Sequence, residues 1–257
     1  MSYRSIFFER IPVIAGFTDY DKTWVSGPIR PPGNPPAPPM IFCHGAGYDL
    51  DGSLGAGVLT EGTYHLKLIQ TLSKYFTVFT SDFDVTQSRG IWGCEDHIAF
   101  IEDARLYLES EYGTSGKVTL AGVSMGGGGV LNYTRKYPSN VRALAPITAV
   151  IDMQAWWNYL DPSGRTSIDM VYPPYYTDAA YGALYNPAVW ASTLDPDIPV
   201  KLFYSTADVP PFYATVPAWL AARPSTLAQN YPGGHAEAGL VYMLDDVVKF
   251  LRYPNLG

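Results

Sequence analysis

The chain has 257 residues, of which 47% are hydrophobic and 16% are charged, and this composition excludes a disordered protein. Its length suits one hydrophobic core, so we expect residues 1–257 to form a single domain. The formal net charge of −7 excludes the basic surface that nucleic-acid binding needs, and no nucleic-acid partner is expected.

The sequence carries no signal for a membrane or for export. No apolar run approaches the roughly 18 residues that span a bilayer, and the apolar stretch after Met1 is too short for a signal peptide. The two cysteines, Cys43 and Cys94, cannot build a disulfide framework. We therefore expect a cytoplasmic protein without a membrane partner, and the composition leaves its oligomeric state open.

Strand and helix signals alternate from Pro39 to the C terminus, which predicts an α/β fold with a mostly parallel sheet and helices on both faces. The first 30 residues predict one or two edge strands, and the proline-rich segment 31–39 predicts a surface connection. The predicted strands are 40–43, 76–80, 117–121, 141–150 and 200–204, and the predicted helices are 64–75, 96–112, one that ends before Pro138, and a closing helix whose apolar face carries Val241, Leu244, Val248 and Leu251.

A nucleophile motif lies between the strand 117–121 and the helix before Pro138. The segment 122–126 reads GVSMG and fits the pattern G-x-S-x-G, in the strand–turn–helix context that this motif requires. Four consecutive glycines from Gly126 would cost a helix about 2–4 kcal/mol relative to alanine, which indicates a geometric demand nearby. The sequence therefore predicts Ser124 as a nucleophile. The alternative is a flexible glycine-rich loop that contains a serine by chance.

Serine becomes a good nucleophile when a histidine takes its proton and a carboxylate orients that histidine. The chain has four histidines, and His235 lies in the loop before the last helix, where a base is expected. His65 and His97 fall within or at the start of predicted helices, and His44 is expected to brace the loop in which it lies. The predicted base is therefore His235.

Two aspartates follow predicted strands and are candidates for the acid. Asp208 comes after the strand 200–204 and before His235 in the chain. Asp152 comes just after the strand 141–150, which would place the acid one strand earlier. We expect Asp208 to be the acid and keep Asp152 as the alternative.

A loop of small residues at 44–47, with the sequence HGAG, follows the first predicted parallel strand. A tetrahedral intermediate needs backbone N–H groups aimed at its oxyanion, and such a loop can supply them. We expect the N–H groups of Ala46 and Met125 to form the oxyanion hole, with Gly47 as the second choice for the first donor. Gly45 and Gly47 are expected to line the substrate site. The alternative is an ordinary β-turn.

The segment 151–199 separates two predicted strands and is rich in aromatic and turn-forming residues. It is predicted to form an inserted cap over the site, in which Trp156 and Trp157 contact an apolar part of the substrate. The alternative is that these aromatic side chains pack the insertion onto the rest of the domain.

No set of residues in the sequence has the spacing of a metal or cofactor site. No His/Cys cluster is spaced for zinc, and the glycines at 126–129 lack the Lys-Ser/Thr that a phosphate-binding loop needs. We therefore expect neither a metal nor a cofactor.

Four motifs occur in order along the chain: HGAG at 44–47, GVSMGG at 122–127, STAD at 205–208 and GGH at 233–235. With these motifs the chain resembles the α/β-hydrolase superfamily, and within it the serine carboxylesterases. The resemblance implies a sheet of about eight strands, mostly parallel, and a metal-independent acyl-enzyme mechanism on a small-molecule ester. The alternatives are a thioesterase or amidase with the same triad, and a non-catalytic binding or structural protein that keeps the fold.

Overall fold

The computed structural model of the chain describes residues 6–11, 23–46, 48–49, 56–57, 59–82, 91–114, 116–235 and 237–255. The strands are β1 (Ile6–Ile11), β2 (Thr23–Pro28), β3 (Pro39–Cys43), β4 (Tyr48–Asp49), β5 (Ala56–Gly57), β6 (Thr77–Ser81), β7 (Val118–Val123), β8 (Val141–Ile147), β9 (Lys201–Tyr204) and β10 (Leu227–Asn230). The helices are α1 (Tyr64–Leu72), α2 (Glu95–Tyr112), α3 (Met125–Lys136), α4 (Met153–Tyr159), α5 (Pro162–Asp169), α6 (Ala183–Tyr185), α7 (Pro187–Trp190), α8 (Pro210–Tyr213), α9 (Val216–Ala222) and α10 (Glu237–Arg252). Within the same residues, 3₁₀ turns cover Pro138–Asn140 and Ala191–Thr193, and a π-helical turn covers Asp178–Gly182.

The described strands form an eight-stranded sheet in the order β1-β2-β6-β3-β7-β8-β9-β10, and β4 pairs separately with β5. β1 runs antiparallel to β2 and β2 antiparallel to β6, whereas the pairs from β6 across to β10 are parallel. The mostly parallel sheet and the edge strands from the first 30 residues are thereby confirmed. The side chains of residues 31–36 are exposed, as expected for a surface connection.

Apolar side chains fill both faces of this sheet. On one face, α2, α3 and the segment between β8 and β9 contribute buried residues such as Ile98, Leu131 and Tyr172. On the other face, α1 and α10 contribute residues such as Leu68 and Leu240. Burial of each large apolar side chain is worth about 1.5–3 kcal/mol, so the two layers hold the strand ends firmly in place.

The closing helix is present as α10, and most of its predicted apolar face packs on the core. Val248 and Leu251 are buried and Leu244 is partly buried, whereas Val241 is exposed. Leu240, Met243 and Val247 are also buried, so the packing of α10 against α1 centres the buried stripe on residues beside the predicted ones. None of the helices that the structure describes is both long and apolar enough to cross a membrane.

The helices α8 and α9 and the strand β10 have no counterpart among the predicted elements. β10 has no fully buried side chain and Leu227 is exposed, so it lacks the apolar run that predicts a strand. It forms because its backbone pairs in parallel with β9. The predicted strand 141–150 ends earlier, at Ile147, because Thr148 turns out of the extended conformation with a φ of 39°.

A buried histidine fills the contact between α2 and α3. A Cβ on Gly129 would collide with the imidazole of His97, so the glycine leaves room for that ring. The N–H of Gly93 donates to Nδ1 of His97 at 3.2 Å, which favours the neutral ring. Burial, together with the nearby His44, lowers the pKa of His97 to about 3.

Acidification is therefore expected to destabilise the fold through His97. Because its folded-state pKa of about 3 lies below the ordinary value of 6.5, its contribution to stability is present above pH 6.5 and is lost as the pH falls toward 3. The loss is about 1.4 kcal/mol per pH unit in that window. Urea unfolding at several pH values should show a steeper loss for the wild type than for His97→Gln. Equal slopes of the free energy of unfolding against pH in the two proteins would contradict the assignment of this acid sensitivity to His97.

Candidate active site

The loops that carry the predicted site residues leave the same edge of the sheet. Cys43 of β3 pairs with Gly122 of β7 in parallel register, so the residues that follow the two strands run side by side. A Cβ on Gly45 would lie 3.1 Å from the Cβ of Ser124. The loop that contains Gly45 and Ala46 therefore lies directly beside the predicted nucleophile.

Ser124 occupies a strained turn between β7 and α3. Its φ of 52° and ψ of −116° lie in a region that residues other than glycine rarely adopt. The N–H of Ser124 donates to the carbonyl of Ile147 at 2.9 Å. The Ser124 carbonyl accepts from the N–H groups of Gly127 and Val150, each at 3.1 Å. These bonds hold the turn and fix the serine at the edge of the sheet.

The glycines that begin α3 let three backbone segments cross at short range. A Cβ on Gly126 would collide with the carbonyl oxygens of Cys43 and His44 at the end of β3. A Cβ on Gly127 would collide with the side chain of Ala149, just after β8. With alanine at these positions α3 would be pushed away from the sheet. This close packing is the geometric demand that the sequence predicted. It explains why α3 begins with glycines although glycine destabilises a helix.

The two predicted oxyanion donors belong to the segments that cross here. Met125 is the first residue of α3, so its N–H has no acceptor within the helix. Ala46 follows Gly45 in the loop beside the nucleophile. His44 braces this loop, because its Nδ1 lies 2.8 Å from the Gly45 carbonyl. Gly47, the second choice for the first donor, falls outside the described residues.

The structure brings His235 and Asp208 into direct contact. Nδ1 of His235 lies 2.6 Å from Oδ2 of Asp208, the distance of a charge-assisted hydrogen bond. The Asp208 side chain is 2% exposed, and its Oδ1 accepts from the N–H of Val209 at 2.7 Å. A buried carboxylate without partners would be costly, and these two bonds also fix its orientation. The His235 side chain is 34% exposed.

Asp152, the alternative acid, has a different set of contacts. Its carboxylate accepts from the N–H of Ala155 at 3.0 Å and from Nδ2 of Asn186 at 3.1 Å. It therefore caps the N terminus of α4 and ties that helix to the residue before α7. Of the two candidate acids, the structure brings Asp208 to His235.

The hydroxyl of Ser124 shares no hydrogen bond with His235 in the part of the chain that the structure describes. Catalytic hydrogen bonds of this kind are often long before a substrate binds. Two of the other histidines are packed within the fold: His65 lies in α1 with its ring centroid 6.1 Å from that of Phe42, and His97 is buried in α2. These contacts agree with the choice of His235 by elimination.

Ser205, which no sequence pattern singles out as functional, joins the loop of the acid to the loop of the base. It is fully buried, and its hydroxyl donates to the carbonyl of Gly233 at 2.5 Å. The same oxygen accepts from the N–H of Ala207 at 3.1 Å. Gly233 precedes His235 by two residues, and Ala207 directly precedes Asp208. Its sequence signal is its place just after β9 in the STAD motif, since serine at such a position commonly bonds to nearby backbone.

Two aromatic rings connect the segment between β8 and β9 to the predicted base. Phe212 of α8 has its ring centroid 4.2 Å from that of His235. Trp156 of α4 has its ring centroid 4.9 Å from that of Phe212. Trp156, a predicted substrate contact, thus reaches His235 through a second ring, and Phe212 is a residue that the sequence did not indicate.

Trp157, the other predicted substrate contact, lies among residues of the segment 151–199. Its Nε1 donates to Oδ1 of Asp169 at 2.7 Å, and the Arg165 guanidinium lies 4.1 Å from its ring centroid. None of its described contacts reaches Ser124 or His235. A role for Trp157 in substrate binding stays a prediction.

Four tyrosines of the same segment pack on one another. The centroids of the rings at positions 172, 176, 181 and 185 lie between 5.1 and 6.0 Å apart in neighbouring pairs. The Tyr172 hydroxyl also donates to the carbonyl of Trp92 at 2.9 Å, which ties the segment to the loop before α2. These contacts agree with the alternative in which the aromatic residues pack the insertion onto the domain.

Metal ligands do not cluster in the described residues, where no group of three or more His, Cys, Asp or Glu side chains is placed to hold a metal ion. Burial raises the pKa of the Cys94 thiol to about 11 and also raises that of Cys43. These thiols are therefore poor nucleophiles and poor ligands.

Comparison with known proteins gives a family and a set of similar structures. The family model of the alpha/beta hydrolase fold matches residues 38–179. No curated protein matches the sequence. FphF, a fluorophosphonate-binding serine hydrolase of Staphylococcus aureus, is 12% identical with a TM-score of 0.72 over 98% of both chains. A ferulic acid esterase is 13% identical with a TM-score of 0.69, covering 97% of this chain and 96% of the other. An S-formylglutathione hydrolase from Agrobacterium tumefaciens is 13% identical with a TM-score of 0.66, covering 98% and 95%. At these identities the likeness shows the fold.

Loss of the Ser205 hydroxyl is expected to loosen the tie between the two loops. Ser205→Ala leaves the part-buried Gly233 carbonyl without its donor and the Ala207 N–H without its acceptor, which should cost about 1–3 kcal/mol in the free energy of unfolding. Thr206→Ala is the matched control, because that hydroxyl accepts from Asn230 at 3.3 Å on the exposed side of the same loops and should cost about 0.5 kcal/mol or less. Urea denaturation measures both changes in the free energy of unfolding. Equal losses in the two variants would show that the Ser205 hydroxyl does not tie the two loops together.

Proposed function

Since the chain belongs to the α/β-hydrolase fold family, we propose that it is a serine hydrolase that cleaves small carboxylic esters. In this proposal Ser124 is the nucleophile, His235 is the general base and Asp208 is the acid that orients the base. The observation that carries the proposal is the 2.6 Å contact between His235 Nδ1 and the buried Asp208 carboxylate, at the sheet edge where Ser124 sits in a strained turn.

The proposed reaction proceeds through an acyl-enzyme. Oγ of Ser124 attacks the ester carbonyl carbon while Nε2 of His235 takes the hydroxyl proton, and Asp208 stabilises the resulting imidazolium. When the tetrahedral intermediate collapses, the imidazolium returns that proton to the departing alcohol. Water then attacks the acyl-enzyme with the same histidine as base. The bond between Oγ of Ser124 and the acyl carbon breaks, the imidazolium returns its proton to Oγ, and the carboxylic acid is released.

The oxyanion of the tetrahedral intermediate is proposed to bind the N–H groups of Ala46 and Met125. The Met125 N–H is unused by α3 and lies at the positive end of that helix, which favours a negative charge. Gly45 keeps the other wall of this pocket small, because a side chain there would press on Ser124. Substrate binding is proposed to bring the Ser124 hydroxyl into hydrogen-bond range of His235.

The strain at Ser124 favours catalysis over a purely binding or structural role. A residue in this backbone region costs about 1–3 kcal/mol, and the buried Asp208 carboxylate adds a desolvation cost. A protein that only binds its partner has no use for a serine strained beside an oriented histidine. Thioester and amide hydrolysis use the same groups and are the alternatives within catalysis. A cytoplasmic location stays a prediction from the sequence.

The proposal is tested by the reactivity of Ser124. A fluorophosphonate probe should label the wild type at this serine, and p-nitrophenyl acetate and butyrate should be hydrolysed, since both need an activated hydroxyl. Ser124→Ala should fold and lose both properties, whereas the exposed Ser139→Ala should keep them. A thioester and an anilide of the same acyl group are run in parallel. Labelling that survives in Ser124→Ala would place the nucleophile elsewhere, and inertness toward every substrate would favour a non-catalytic protein.

The acid is tested by two matched aspartate substitutions. Asp208→Asn should lower kcat by several orders of magnitude, on the scale of the roughly 10⁴ found for other triads, because an amide favours the wrong tautomer of His235. Asp152→Asn should change kcat little, since asparagine also caps a helix. Steady-state kinetics on an acetate ester measure both. A larger effect at Asp152 would move the acid to the loop after β8.

A further inference from the structure

Phe212 lies against the imidazole of His235 more closely than ordinary aromatic pairs. The two ring centroids are 4.2 Å apart with an interplanar angle of 43°. This separation is shorter than the roughly 4.5 Å at which ordinary aromatic pairs begin, so the two tilted rings are in direct contact. Phe212 is 3% exposed, whereas the His235 side chain is 34% exposed. The phenyl ring is thus the buried, rigid member of the pair.

Phe212 is itself packed against the segment between β8 and β9. Trp156 packs on it at 4.9 Å, and Trp156 in turn stacks on Tyr159 at 5.8 Å and packs against Trp92 at 6.3 Å. α8 begins two residues after Asp208, so the backbone that carries the acid also carries this ring. The position of Phe212 is therefore set by both α4 and the acid loop.

The charge on His235 changes during the proposed reaction, and Phe212 is placed to respond to it. A cation within about 6 Å of a phenyl centroid is attracted by the negative face of the ring. Asp208 is the charged group that the described contacts bring against the imidazole, and it holds the Nδ1 edge. Phe212 faces the ring from α8, and that contact adds an attraction that grows when the imidazole is protonated.

Building on the proposed function, we propose that Phe212 is a positioning residue for the general base, which holds the His235 imidazole and stabilises its protonated form. Trp156 acts through Phe212 and not through the substrate. The segment between β8 and β9 thereby influences the general base as well as any substrate group bound next to that base.

Phe212→Leu keeps an apolar side chain and removes the aromatic face. We expect kcat/KM on p-nitrophenyl acetate to fall about 2- to 5-fold, because the imidazolium in the transition state loses the ring. The acidic limb of the kcat/KM profile and the NMR titration midpoint of His235 should both move to lower pH by about 0.4–0.7 pH unit. Phe212→Tyr keeps the face and should leave both midpoints in place.

Phe203→Leu is the matched control, because Phe203 is 1% exposed but packs on Tyr231 and Phe250 instead of His235. It should lower thermal stability without moving either midpoint. If Phe212→Leu and Phe203→Leu both leave the His235 titration unchanged, Phe212 only fills the core and the proposal is wrong. The NMR titration needs no turnover, so this failure is distinct from an inert wild type, which would overturn the proposed esterase function.

Trp156→Ala separates an effect through Phe212 from a substrate contact. An effect through Phe212 lowers kcat equally for acetate and butyrate esters, and it is smaller when combined with Phe212→Leu than alone. A substrate contact would instead lower the ratio of kcat/KM for the butyrate ester to kcat/KM for the acetate ester. Trp190→Ala is the control, since Trp190 belongs to the same segment but packs on Trp219 with ring centroids 6.0 Å apart. A lowered ratio in Trp156→Ala would overturn the part of the proposal that concerns Trp156.

Discussion

The close crossing of backbones at Ser124 is the constraint on which the rest of the site depends. The first turn of α3 lies against the carbonyl oxygens at the end of β3 and against Ala149 after β8, so positions 126 and 127 admit no side chain. The strained turn and the glycines together cost several kcal/mol. The cost is offset because α3 lies between the sheet and α2, where residues such as Val130 and Leu131 are fully buried. Any widening of this crossing would also separate Gly45 from the serine.

Parallel register brings the acid and the base together, whereas the crossing of backbones positions the nucleophile. β9 and β10 end as neighbours, with Tyr204 paired to Asn230, so the loops that follow them emerge together. The contact between Asp208 and His235 and the hydrogen bond from Ser205 then join the two loops. A buried carboxylate is tolerated here because both of its oxygens have donors. The orientation of the histidine is a product of this arrangement and not of the loop sequence alone.

The aromatic residues of the segment 151–199 make two sets of contacts. The tyrosines at positions 172, 176, 181 and 185 pack together, and Tyr172 is bonded to the loop before α2. Trp156 packs on Tyr159 and on Trp92 of that same loop, and it also contacts Phe212, which contacts His235. A segment that packs on the loop before α2 and also contacts the base is well placed to keep that base in a single orientation.

The sequence by itself determined the features that local chemistry controls. The strand–turn–helix pattern around Ser124 and the helix predicted at 96–112, which is α2, both depend on residues close together in the chain. The order of the HGAG, GVSMGG, STAD and GGH motifs along the chain was also read from the sequence. These features were predictable because turn geometry and helical periodicity are written in short windows.

Tertiary structure decided what depends on residues far apart in the chain. The pairing of His235 with Asp208, and the use of Asp152 as a helix cap, follow from which strands are neighbours. β10 exists because β9 offers it hydrogen bonds, although its side chains give no strand signal. Ser205 and Phe212 have no functional signature of their own, since a serine hydroxyl or a phenyl ring acquires its role from the group that packing places beside it.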